Sequence, residues 1–332
     1  MKNIIVSLSP HIHGGDSIQK NMYGVLIALV PALIVSFFFF GLGAFIVCAT
    51  SVLSCVFFEW AITKFLLKRE RTTITDGSAI LTGLLLGFNM PSNLPIWIII
   101  IGALVAIGVA KMTFGGLGNN PLNPALVGRA FLLVSFPAQM TSWPVAGQLT
   151  SYTDAVTSAT PLAIMHQAVT SGDASLLNQL PHGFSLLIGN NGILGGGCIG
   201  EVCGIALILG GIYMIVKKII TWHIPVSILV TAAVLGEIMH LANPIYPDVI
   251  TVLFSGGLML GAIFMATDYV TSPMTAKGQI VFGVGIGLLT IVIRYFGSYP
   301  EGVSFAILIM NVFTPLINNW CKPKRFGEKV KG

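Results

Sequence analysis

Charge is what this chain has least of. Asp, Glu, Lys and Arg together make up 9% of its residues, where ordinary soluble domains carry about 25%. That scarcity excludes a water-facing globular surface, and with 55% hydrophobic residues and a mean hydropathy of +0.88 it places the chain in lipid. The first twenty residues, Met1 to Lys20, lack an apolar core, so no cleavable signal peptide is expected. The five cysteines, Cys48, Cys55, Cys198, Cys203 and Cys321, are scattered through apolar segments. Cys198 and Cys203 are the only close outer pair, and no histidine or further cysteine stands beside them. They read as small buried residues, not metal ligands. The net charge of +5 comes from loop lysines and arginines and calls for no nucleic acid.

Apolar runs are abundant. They fall at Met22–Phe40, Ala44–Leu67, Asp76–Met90, Leu94–Met112, Pro124–Phe136, Cys198–Val216, Ile224–Leu241, Val252–Thr267, Gln279–Phe296 and Val303–Ile317. A full span needs about 20 apolar residues, so the third, fifth, eighth and tenth runs read as shortened or broken helices. The expected fold is therefore an all-α integral membrane protein of about ten transmembrane helices. Numbered from an inside N-terminus, the inner segments hold 15 of the 17 basic residues; the other two, Arg129 and Arg294, lie within runs. The outer loops hold none. This positive-inside asymmetry supports both the count and the orientation. The expected organisation is an N-terminal cytoplasmic segment at 1–21, a first half at 22–136, an outer loop at 137–197, a second half at 198–318 and a basic cytoplasmic tail at 319–332.

A short string recurs. Gly83-Leu84-Leu85-Leu86-Gly87 returns as Gly257-Leu258-Met259-Leu260-Gly261, each time in the third run of a five-run half. Five is odd, so the second half must be inverted relative to the first. Paired short spans in inverted halves point to a central site built from broken helices.

The long outer loop carries Asp154-Ala155-Val156-Thr157-Ser158-Ala159-Thr160-Pro161. Read alone, Thr160-Pro161 is a helix start. Threonine caps free N–H groups, and proline suits the first helical position because it has no N–H to lose. The stretch also resembles the flavinylation motif D-x-x-[ST]-G-A-T, at which a transferase esterifies the phosphate of FMN to the threonine hydroxyl. Asp154, Thr157, Ala159 and Thr160 match; Ser158 stands where glycine is usual. Both readings can hold together, since a helix N-terminus also attracts a phosphate. His166 lies over a turn from Thr160, so an external transferase is the better account of the chemistry.

Further polar residues sit at membrane depth. Gly115 to Ala125 opens the fifth run with irregular, Gly- and Pro-rich backbone, tolerated only where protein or a cavity covers it. The amides of Asn120 and Asn123 could bind a neutral heterocycle or cap their own helix. Glu59, Arg129, Glu201, Glu237, Asp268 and Arg294 lie within runs, with Asp76 and Glu301 near their ends. Buried charges in lipid are usually paired or functional. Glu59, Asp76 and Asp268 lie near inner ends, where water or the basic loops are in reach. Glu237 and Arg129 lie deeper, as an ion path or a buried pair. The four phenylalanines Phe37 to Phe40 read as a lipid- or partner-facing surface.

The opening Leu8-Ser9-Pro10-His11-Ile12-His13, the Asn120-Pro121-Leu122-Asn123-Pro124-Ala125 stretch, the Thr160 motif and Pro300-Glu301-Gly302-Val303-Ser304-Phe305-Ala306 together resemble the RnfD/NqrB family. The longer N-terminal extension usual in NqrB is absent, which favours the RnfD branch. The resemblance implies a ten-helix arrangement of two inverted repeats like that of urea transporters. It also implies FMN held through Thr160 on the outer face of a bacterial inner membrane, and a riboflavin, placed here near Asn120 and Asn123. The implied activity is electron transfer between ferredoxin and NAD coupled to export of Na⁺ or H⁺. Its partners would be the other subunits of the Rnf complex and a flavin transferase. Two readings compete: a flavin-free solute channel of the same inverted-repeat fold, and a purely structural membrane scaffold.

Overall fold

The computed structural model describes residues 17–68, 74–181, 183–189, 196–299 and 301–322. The Leu8–His13 motif, Pro300, Arg69, Arg71 and most of the basic tail lie outside the described residues. The described part is helical; its one β-type pairing is an isolated bridge between Pro144 and Thr157. Four helices are long and apolar enough to cross a membrane: Ile18–Leu66, His223–Ala242, Ala276–Phe296 and Val303–Trp320. Ser78–Phe88, Ile96–Met112, Pro124–Ser135 and Gly204–Val216 are shorter apolar helices. The chain is a multi-pass membrane protein.

The first helix folds back on itself at Gly41, whose φ of 52° and ψ of −126° are not helical. Glycine tolerates that conformation, and a side chain there would strike the backbone of Leu149. Packing shows the reversal. Gly77 packs against Met22 and Tyr23 from the first limb. Its neighbour Ser78 shares Lys111 with Glu59 from the second limb. Both ends of the long helix therefore reach one level, with the turn at the other. The phenylalanine run beside that turn is split: Phe38 faces outward, while Phe40 is buried.

The third, fifth and eighth runs are short or broken as expected, though their boundaries move. The tenth is not, because its helix continues past Ile317 as the unbroken 18-residue span Val303–Trp320, with Pro315 accommodated inside it. The run beginning at Cys198 opens with a single tight turn, Ile199–Glu201, before the helix Gly204–Val216. The glycine-rich eighth run becomes Val249–Phe254, a break at Ser255–Gly257, then Leu258–Leu260 continuing as the wider turn Gly261–Met265. Gly256, with φ of 67°, makes the break possible. The recurrent glycines mark close packing. A Cβ on Gly83 would lie 2.7 Å from the Val52 Cα, and one on Gly261 would collide with Val303.

The two halves meet through the ends of broken helices. Asn123, which starts the helix Pro124–Ser135, donates from Nδ2 to the Met265 carbonyl at 3.1 Å. Asn89, which ends Ser78–Phe88, reaches the Met265 sulfur at 3.6 Å and accepts from Arg129 at 3.1 Å. Arg129 also reaches Ser304, in the first turn of Val303–Trp320, at 3.3 Å. The polar centre is thus assembled from segments far apart in sequence.

Candidate functional site

The outer loop is fastened to the helical body by backbone. Leu42 N–H donates to the Leu149 carbonyl at 2.9 Å, and Gly147 N–H to the Phe39 carbonyl at 2.8 Å. The Tyr152 hydroxyl donates to the Leu94 carbonyl at 2.5 Å. Partial burial there raises the pKa of that phenol. Within the loop, Val145 N–H donates to the Val156 carbonyl and Ser158 N–H to the Trp143 carbonyl, each at 3.0 Å. Gln148 braces the same turn, accepting from Val156 N–H at 2.7 Å and donating to the Val156 carbonyl at 2.8 Å. Residues 154–160 therefore have a held shape.

Thr160 is the N-cap of the helix Pro161–Ser171. Its backbone is extended and its Oγ1 accepts from Ala163 N–H at 3.1 Å. The helix-start reading is correct. Thr160 is buried, while Asp154, Thr157 and Ala159 are exposed and Ser158 is half-buried. The Thr160 hydroxyl is reached through a cleft of about 530 Å³. Trp143, Ser142, Thr157, Ser158, His166, Tyr299 and Glu301 are among its walls. Ligand pockets for compact molecules run to about 300–1,000 Å³, so the cleft has room for a three-ring heterocycle. Aromatic rings at Trp143 and Tyr299 and several hydroxyls suit its faces and edges. Capping does not preclude an ester at Oγ1, because an esterified oxygen keeps a lone pair for Ala163 N–H. His166 Nε2 lies 2.9 Å from the Gly297 carbonyl, which ties its ring to the next wall.

Glu301 joins this cleft to the polar centre. Its carboxylate forms an ion pair with Arg129 and lies 3.9 Å from the Cys198 thiol through either oxygen. Arg129 also donates to Cys198 Sγ at 3.4 Å. Cys198, Glu201 and Glu301 present ligand-type atoms within 4.8 Å of one another; the guanidinium of Arg129 already supplies a cation to that group. Arg294 has a different duty: it donates to the Val252 and Ser255 carbonyls at 2.7 and 2.9 Å, closing the C-terminal end of the short helix Val249–Phe254.

The second polar site lies toward Gly77. Ser78, Lys111, Asn120, Asn123 and Asp268 line a cavity of about 70 Å³. The cap reading holds for Asn123, whose Oδ1 accepts from Ala125 N–H at 3.1 Å and Leu126 N–H at 3.4 Å. Its Nδ2 uses one of its two hydrogens on the Met265 carbonyl. Asn120 donates to the Leu122 carbonyl at 3.1 Å. Asn120 and Asn123 thus stand on the wall of the cavity where the sequence reading sets a riboflavin.

Three sequence expectations change. Glu237 does not face the interior: it lies exposed on the outer surface of His223–Ala242, with no hydrogen bond or ion pair among the described residues. Glu237 and Arg129 do not form a buried pair; Arg129 pairs with Glu301. Of the two alternatives for Glu59 the structure takes the second, pairing with a basic residue of the inner set: it does not reach water but is fully buried, 2.6 Å from Lys111 Nζ. Lys111 belongs to that buried pair, not to a wet inner loop. Sequence reasoning had no role for Trp143, Tyr299 or Asn89. Their only signal was an outer-loop aromatic, an aromatic beside Glu301 and an Asn-Met-Pro at a helix end.

Residues 5–327 match the model of the NQR2, RnfD, RnfE family. A relative from Acetobacterium woodii is 46% identical over 99% of this chain and 97% of its own length. The chain belongs to the NQR2, RnfD, RnfE family. That relative is named as one subunit of a Na(+)-translocating ferredoxin:NAD(+) oxidoreductase complex. A Clostridium ljungdahlii relative, 43% identical over 99% of this chain and 98% of its own, is named as the same component of a proton-translocating ferredoxin:NAD(+) oxidoreductase complex. One from Haemophilus influenzae, 36% identical over 98% of each chain, is named as a component of an ion-translocating oxidoreductase complex. Sodium and proton names at near-equal identity leave the cation outside what family similarity assigns.

Proposed function

We propose that this chain is the flavin-carrying membrane component of an Rnf-type complex that couples electron transfer between ferredoxin and NAD to translocation of Na⁺ or H⁺. FMN would be held by a phosphoester at Thr160 after attachment by a flavin transferase. The observation that carries the reading is the cleft at Thr160: a motif threonine at the start of a helix, opening on a space of flavin size walled by Trp143, Tyr299 and Glu301. FMN, when bound, supplies the one- and two-electron chemistry. The chain's own part is to orient the ring, hold the phosphate at the N-terminal end of Pro161–Ser171 and keep Glu301 and Arg129 beside it. Catalysis requires the partner subunits, a second flavin-bearing subunit among them.

The accompanying topology is ten spans in two inverted halves in a bacterial inner membrane, with both termini cytoplasmic and the Thr160 loop outside. The charge asymmetry supports the orientation. The crossed contacts, Asn123 to Met265 and Arg129 to Ser304, support the inverted halves. A flavin-free solute channel would need an open centre, and here Arg129, Asn89 and Ser304 fill it.

The test is co-expression with a flavin transferase, a denaturing gel and flavin fluorescence in the band. Wild type is expected to fluoresce and Thr160→Val to be dark. A dark wild-type band, beside a flavinylated control that glows in the same cells, would return Thr160 to a helix cap alone.

A further inference from the structure

The helix His223–Ala242 has two unlike faces. Ile228, Ala232 and Gly236 are buried. Ser227 and Thr231 on that side pack against Gly283 and Gly287 of Ala276–Phe296. The opposite face carries Val226, Val230, Val234, Glu237 and Leu241, all exposed. Steps of four, four, three and four residues keep these side chains on one stripe.

Glu237 is the one ionisable residue in that stripe, and it is bracketed. Val234, below it, is 52% exposed, and Leu241, above it, is 75% exposed. Apolar side chains thus continue past the carboxylate toward the helix end. At 1.5 Å per residue, Glu237 lies about 7.5 Å short of Ala242, with exposed apolar side chains on both sides of it along the stripe. His240, the nearest titratable neighbour on this helix, directs Nδ1 to the Tyr246 carbonyl at 2.6 Å. A carboxylate facing hydrocarbon is costly, and such residues in membrane segments are almost always paired. Within the described residues Glu237 has no hydrogen bond or ion pair, and a basic residue of another chain would supply one.

We infer that the Val226–Leu241 stripe is a docking face for a transmembrane helix of a neighbouring subunit, and that this helix presents a lysine or arginine to Glu237. The inference rests on the reading of the chain as part of a complex. Apolar packing along the stripe supplies contact area, and the single ion pair fixes the register and the choice of partner.

The experiment purifies the whole complex through a tag on this chain. It compares wild type with Glu237→Asp, Glu237→Leu and Glu237→Lys, and reads the co-purified subunits. Glu237→Lys is expected to lose one neighbouring subunit, Glu237→Leu to retain at least ten-fold less of it, and Glu237→Asp to retain most. The thermal midpoint of the isolated chain should not fall in any variant, because Glu237 is exposed and makes no hydrogen bond or ion pair among the described residues; this separates docking from folding. A cysteine at 237 should cross-link to that same neighbour. Full assembly of Glu237→Leu at wild-type stability would overturn the inference. So would full assembly with electron transfer intact but ion transport lost, which would make Glu237 an ion-handling group. If the wild-type chain brings down no other subunit, the complex reading itself fails. Flavin fluorescence in the same band reports separately on Thr160.

Discussion

Two buried ion pairs of similar composition sit in different surroundings. Lys111 and Glu59 are enclosed, 2.6 Å apart, and the Ser78 hydroxyl takes a further bond from the ammonium at 2.7 Å. Arg129 and Glu301 form the other pair, but the Glu301 side chain is 14% exposed and lines the Thr160 cleft. Lys111 faces only a narrow cavity. A closed pair can hold helices in place; a pair with one edge open can also respond to what enters beside it. The guanidinium is suited to the second position, because its planar fork reaches Glu301, Asn89, Ser304 and Cys198 at once, which a point-charge ammonium cannot do.

The largest expected effect tests the closed pair. Lys111→Met should destabilise the purified protein by about 3–5 kcal/mol, because it strands a carboxylate in apolar surroundings. Adding Glu59→Leu should recover most of that loss. Thermal unfolding in detergent reads both, and an unchanged midpoint in the single variant would remove the contrast. Glu301→Gln should cost less, about 1–3 kcal/mol, since one edge of the group is wet and the amide still hydrogen-bonds. On the proposed flavin reading it should also shift the midpoint potential of the Thr160-bound flavin by tens of millivolts, on the scale of about 30 mV per 1.4 kcal/mol for two electrons. Glu59→Gln, remote from the cleft, should leave that potential in place; equal shifts in the two variants would erase the distinction. The smallest effects concern the caps. Thr160→Val and Asn123→Ala should each cost about 1 kcal/mol of stability, read as a small fall in melting temperature. Only the Thr160 variant should also lose flavin fluorescence.

Helix starts were legible because they are local. Asn123-Pro124 and Thr160-Pro161 each place a capping side chain before a proline, and both caps are made within three residues. The turn at Gly41 was legible for the same reason. Arg129 and Glu301 were each visible as costly groups at membrane depth, but nothing local joins residues so far apart in the chain. Glu237 was misplaced because position along a span gives depth and not direction. In a helix apolar on all sides, hydrophobic periodicity does not say which face meets protein. Lys111 was counted with the inner loops because positive-inside reasoning sorts basic residues by segment, and a lysine at a helix end can turn inward when a carboxylate waits there.

Composition and order alone determined that the chain lives in a membrane, roughly where its apolar segments fall, and that Thr160 caps a helix. These properties depend on hydration of side chains and on backbone bonds a few residues long. Tertiary structure alone decided that Trp143, Tyr299 and Glu301 surround Thr160, that Arg129 answers Glu301, and that Glu237 faces outward. Each depends on which helix faces which, and that is set by packing of small residues and by the need to pair every buried charge across the whole molecule.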